Sequence, residues 1–187
     1  MHPQTNLTNH FLIAMPNLAD PNFFHTVTYI CEHTDQGAMG IVINRPTELS
    51  VSELFEHMKI TADASQPAEK TIYNGGPVEA ERGFVLHRYD RDWDSTMRIS
   101  EQVAITTTRD IIEAIAHNQA PEQNLIALGY AGWGEGQLEQ ELADNAWLYS
   151  PASLDILFDL PTQDRWKAAA EKIGVDLNLL STSSGHA

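Results

Sequence analysis

Four glycines fall within eight residues at Gly129, Gly132, Gly134 and Gly136, with Tyr130 and Trp133 set among them. An apolar run, Asn124 to Leu128, leads in and helix-forming residues follow. That order of strand, glycine-rich turn and helix suits a phosphate-binding loop, in which backbone N–H groups cradle an anion at a helix N-terminus. A dinucleotide fingerprint requires G-x-G-x-x-G. Gly132 and Gly134 supply the first pair, but the third place holds Gln137. A start at Gly134 puts Glu139 there, and no Gly-Lys-Ser/Thr follows for a Walker loop. Glu135, Glu139 and Glu141 already offer negative charge to that helix end and repel a phosphate. The stretch is expected as a tight strand-to-helix turn. Tyr130, Trp133 and Gln137 are candidates to line an aromatic pocket for a neutral or cationic ligand.

Other chemistry is sparser. Cys31 and His33 share one face of a strand, but the further ligands of a structural zinc site are not spaced to join them. No G-x-S-x-G elbow occurs. Cys31 is expected to be a small buried hydrophobe. Polar residues gather at strand ends in NRP (44–46) and YNGGP (73–77). Asn44, Arg45, Asn74, Gly75, Gly76, His87 and Arg109 are therefore candidate binding residues. Arg45, Arg82 and Arg109 could together form a positive pocket for a carboxylate or phosphate, or else make ordinary surface ion pairs. No catalytic residue, metal site or cofactor is expected.

These residues need elements to position them. FLIAM (11–15), TVTYICEH (26–33) and AMGIVINR (38–45) have strand character, the last two as a hairpin across Thr34–Gly37. Asp20-Pro21 starts a single helical turn. Ser50 and Glu53 form a capping-box pattern before a helix with Val51, Leu54, Phe55 and Met58 on one face. TIYN (71–74), GFVLHRY (83–89), a hairpin of 97–100 with 103–106, and 125–128 continue as strands, and 61–70 as a polar loop. Thr107 or Thr108 caps a helix through Asn118. Further helices are expected over 136–145, from Ser150 to about Phe158, and from Thr162 to Gly174. Trp147–Tyr149 and VDLNLL (175–180) are expected as strands. Hairpins outnumber βαβ units, so the fold class is α+β with a mostly antiparallel sheet.

Composition narrows the function classes. The 187 residues include 26 acidic and 11 basic side chains, a formal net charge of −15, with 42% hydrophobic and 20% charged residues. One domain with one sizeable core is expected: a loose segment over 1–10, the domain over 11–180 and a polar tail over 181–187. From Asp110 to Asp164 there are ten carboxylates and no Lys or Arg. Such a field repels nucleic-acid backbones and anionic membranes. A single cysteine, no charged N-terminal region and an apolar run of only five residues there point to a cytoplasmic protein without a signal peptide or membrane span.

The segments FLIAMP, DPNF, YICEH, GAMGIVINRP, NGGPV, RGFVLH, TTTRDIIEAIA, ALGYAGW, GQLEQEL, NAWL, ILFD and RWKAAAEKIGVD occur in this order from Phe11 to Asp176. Together they resemble the AlgH/YqgE family of small bacterial proteins. Glu135 departs from the pattern, where many members carry proline. The resemblance implies a single α+β domain with a bulged, mostly antiparallel sheet flanked by helices, and a cytosolic location. It also implies a transcriptional-regulator label, which rests on a genetic link to alginate production in one branch. It transfers no catalytic residue. The expectation is a non-catalytic regulator that binds a protein partner or a small molecule, with any transcriptional effect indirect. Two alternatives stand beside it. One is an enzyme on a small metabolite using Asn44, Arg45, Asn74, His87 and Arg109, which requires these groups to converge on one pocket. The other is an oligomerisation module exchanging the FLIAM strand.

Overall fold

The computed structural model describes residues 6–63 and 70–184. Among the described residues ten strands run as β1 (His10–Ala14), β2 (Val27–Thr34), β3 (Gly37–Val42), β4 (Pro46–Ser50), β5 (Thr71–Asn74), β6 (Val78–Arg88), β7 (Thr96–Arg98), β8 (Val103–Thr106), β9 (Asn124–Trp133) and β10 (Trp147–Pro151). They form one curled sheet in the order β10-β1-β2-β3-β9-β6-β8-β7, with β5 paired to β9 and β4 to β5. Every pairing is antiparallel except β5 with β9. Register shifts bulge β2 between Ile30 and Glu32 and β6 between Val78 and Gly83. The fold is thus the bulged, mostly antiparallel α+β domain that the sequence implies.

The helices are α1 (Val51–Met58), α2 (Arg109–Ala116), α3 (Gln137–Ala143), α4 (Arg165–Glu171) and α5 (Leu177–Ser184). Ser50 caps α1 by accepting from the Glu53 N–H, as its spacing predicts. On one face of the sheet, α1 and α2 bury Val51, Phe55, Ile111 and Ile115 against Ile72, Val85 and Ile126. On the other, Ile156, Leu157, Ala169, Ala170 and Leu177 cover Tyr29, Ile41, Ile43 and Leu86. A third cluster joins Leu12, Ile30, Trp133, Leu138 and Trp147. Leu7 is buried in it, inside the stretch expected to be loose, while residues 1–5 of that stretch lie outside the described residues. Most of the expected polar loop 61–70 also lies outside them.

Four expectations are corrected. The glycine-rich stretch is strand as far as Trp133, and the turn is confined to 134–136. Gly129 sits inside the strand with φ +78, where a Cβ would lie 2.4 Å from the carbonyl oxygen of Gly76. Glycine there serves a close approach of two backbones, which resembles a turn signal when only the local sequence is considered. VDLNLL is helix α5 from Leu177, because Asp176 Oδ1 accepts from the Asn178 N–H and turns the chain helical. The helix expected from Ser150 starts only after Ser153, since Ser150 and Pro151 complete β10 against His10 and Phe11. The strand expected through Arg45 stops at Val42, and Pro46 opens the short strand β4; proline is tolerated at a strand's first residue.

Candidate functional site

The end of β9 carries the aromatic residues singled out from the sequence. The buried Trp133 donates its Nε1–H to Glu141 Oε1 at 3.0 Å, and Trp147 donates to the same oxygen at 3.0 Å. Gln137 donates to Glu141 Oε2 at 3.0 Å and accepts from the Gly134 N–H at 2.9 Å. Glu141 therefore serves as the acceptor that fixes two indoles and the turn. Glu139 is also engaged: its Oε1 lies 2.5 Å from Nε2 of the buried His33. Leu7 N–H donates to His33 Nδ1 at 3.0 Å, so the neutral ring carries its proton on Nε2 and donates it to Glu139. Two of the three glutamates that appear as free negative charge in the sequence are thus spent on structure.

Tyr130 and Trp133, but not Gln137, border an open trough of about 810 Å³. Its floor is Met39, Phe84, Met97, Ile105 and Tyr130, drawn from β3, β6, β7, β8 and β9. Tyr130 meets Phe84 edge-on at 5.7 Å. Glu32, Thr34 and Arg82 stand on its walls, with the Arg82 guanidinium 5.1 Å from the Phe84 ring centre. Val78 and Met97 expose 36% and 39% of their surface there. Met39, Phe84 and Met97 were not singled out from the sequence. Strand alternation was the available signal, but it does not say which part of a face stays uncovered.

A smaller pocket of about 290 Å³ lies on the opposite face between α1 and α2. Arg82 and Arg109 both border it and Arg45 does not, so the alternative of a three-arginine pocket is reduced to two, each with an ion pair: Arg82 with Glu79 and Arg109 with Glu113. The exposed Arg109 binds Glu113 through Nε at 2.7 Å. Arg45 instead holds the 20–25 turn, donating to the carbonyls of Pro21 at 2.5 Å and Phe24 at 3.0 Å. Asn44 bridges the same region, accepting from Val27 N–H and donating to His25 O, both at 2.9 Å. Asn74 accepts from Gly76 N–H at 3.2 Å. Arg45, Asn74 and Gly76 enclose about 20 Å³, room for a single water. Gly75 and Gly76 are buried at the corner where their backbone meets Gly129 and Tyr130.

His87 is fully buried. Its Nδ1–H donates to Arg88 O at 3.0 Å, so Nε2 accepts from the Thr106 hydroxyl at 2.8 Å. Burial lowers its pKa and keeps it neutral. Asn44, Arg45, Asn74, His87 and Arg109 do not share one pocket. Cys31 is buried, and burial, followed by the charge of Glu32, pushes its thiol up. Among the described residues no group of three or more His, Cys, Asp or Glu is placed to hold a metal, and no helix is long and apolar enough to cross a membrane.

Known proteins share this architecture. The sequence model of a family described as AlgH-like matches residues 11–178. A UPF0301 protein of Thioalkalivibrio sulfidiphilus is 60% identical over 187 residues, all of both chains. The UPF0301 protein AlgH of Pseudomonas aeruginosa is 54% identical over 186 residues, 98% of this chain and 97% of that one. The solution structure of AlgH from Pseudomonas aeruginosa superimposes with a TM-score of 0.78 at 53% identity, covering 100% of this chain and 99% of that one. A Corynebacterium diphtheriae protein superimposes with a TM-score of 0.76 at 19% identity, covering 97% and 94%, which speaks to the fold alone.

Proposed function

The chain belongs to the AlgH-like family, and on that premise we propose that it is a non-catalytic cytoplasmic regulator that binds a partner protein in the trough beside β7. The observation that carries this reading is the apolar floor left open over about 810 Å³, with Val78 and Met97 exposed in it. Its composition supports a protein partner. Aromatic residues, methionine and arginine are enriched in protein interfaces, and a pair of methionines adapts to a partner's shape. The breadth of the trough suits a chain segment better than a compact metabolite. With a net charge of −15, any effect on transcription runs through that partner, because the average field repels DNA.

The test is site-directed photo-crosslinking in the native cell. A benzophenone side chain replaces Met97 in the trough, or Ile173, an exposed apolar residue outside the trough, as control. A discrete protein adduct at position 97 and none at 173 is the expected result. Equal adducts at both, or none at 97, ends the trough reading.

A further inference from the structure

We infer that the pocket between α1 and α2 is a second, separate site that takes a small zwitterion with an apolar body, the chemistry of a free α-amino acid such as leucine, methionine or phenylalanine. The pocket's walls are apolar: Val85, Ile126 and Leu128 of the sheet face Met58 of α1 and Ile112 of α2. Its volume of about 290 Å³ is at the lower end of ligand cavities, which suits one amino acid and excludes a nucleotide or a lipid. Gly83 opens it further, since a Cβ there would meet no atom within 4 Å.

Charge selects the ligand class. Glu81 and Arg109 both border the pocket, yet no salt bridge among the described residues joins them. Arg109 engages Glu113 through Nε, and Glu81 takes part in no ion pair among the described residues. Arg82 also borders the pocket, but it pairs with Glu79 at 3.2 Å and its guanidinium lies over the Phe84 ring of the trough. The pocket therefore sets an acid without an ion-pair partner on β6 apart from a base on α2. A ligand carrying both signs on one carbon satisfies both, with its carboxylate toward Arg109 and its ammonium toward Glu81, while its side chain occupies the apolar wall. A simple carboxylate leaves Glu81 unmatched, and a simple amine makes no use of the terminal amino groups of Arg109, since Glu113 takes only its Nε.

The test titrates leucine, methionine and phenylalanine into the full chain by ¹⁵N-edited NMR. A saturable response with a Kd of about 10 µM to 1 mM is expected for ligands of so few atoms. N-acetyl-leucine and leucinamide should each bind at least about tenfold more weakly, as should leucine to Glu81→Gln and Arg109→Gln, because each change removes one charge pairing. Gly83→Val extends into the void from a Cβ that meets no atom within 4 Å and should abolish binding. Its melting temperature confirms the fold, and the two exposed charge variants give the same answer if it is perturbed. No saturable response up to about 10 mM, near the weak limit of specific recognition, overturns the inference. So does undiminished binding to a folded Gly83→Val, or equal affinity for leucine and both of its single-charge analogues.

Discussion

One face of the curled sheet is core at one end and trough at the other. The two ends are built from the same kind of alternation. At the covered end, Tyr29, Ile41, Ile43 and Leu86 lie under the C-terminal helices. At the open end, Met39, Met97 and Tyr130 lie over the buried Phe84 on the trough floor, and Met97 exposes 39% of its surface. The side chains differ little in character; the cover differs. Arg165 illustrates how the cover is fastened. It is buried, donates to the carbonyls of Ile43 and Leu160, and lies 5.2 Å from the Tyr73 ring centre. Binding surface on this molecule is core that the chain has not roofed, so the two ends should respond differently to substitution.

The largest effect is expected at the corner that sets the sheet's curl. At Gly76 a Cβ would lie 2.1 Å from the carbonyl carbon and 2.2 Å from the oxygen of Tyr130. Both are backbone atoms and cannot rotate aside. Gly76→Ala should cost about 4 kcal/mol or more in urea denaturation, in the range of severe steric substitutions. A cost below about 1 kcal/mol would show that the corner yields, and that the trough floor is not rigidly set.

Next comes the fastening of the covered end. Arg165→Ala strips donors from two carbonyls and should cost about 3 kcal/mol, the scale of hydrogen bonds to a charged group together with unsatisfied buried acceptors. Glu141→Ala should cost less, about 2 kcal/mol, because it leaves two buried indole N–H groups without their acceptor. Its signature is a red shift of tryptophan emission. If Arg165→Ala proves no more costly than Glu141→Ala, the cover is held by apolar packing alone.

The sequence disclosed what local chemistry determines. The Ser50–Glu53 cap and the Thr34–Gly37 turn are encoded within a few residues, and the structure shows both in place. It concealed what distant segments determine. Gly129 resembles a turn residue until the backbone of Gly76 is laid against it. Arg45, Arg82 and Arg109 look equivalent along the chain, but topology puts only the last two beside one pocket. Tyr130 and Trp133 were legible as pocket residues, whereas Met39 and Met97 were not, because nothing near them in sequence says that no helix covers them.

The smallest effect on stability is expected at the open end, and it is the sharpest test of the contrast. Met97 lies on β7, the last strand of the sheet, with 39% of its surface exposed to the trough. Part of its apolar surface is already in water and an aspartate carboxylate there stays solvated, so Met97→Asp should cost the least of these substitutions, about 1 kcal/mol. The same charge placed in the apolar floor should prevent a partner from seating, because burying an unpaired carboxylate costs more than the contact returns. A benzophenone at position 78, exposed in the same trough, reports that loss directly. Its adduct should vanish in the Met97→Asp background while the urea midpoint moves by no more than that small cost. If stability falls with the adduct, position 97 belongs to the core and the division between the two ends lies elsewhere on the sheet.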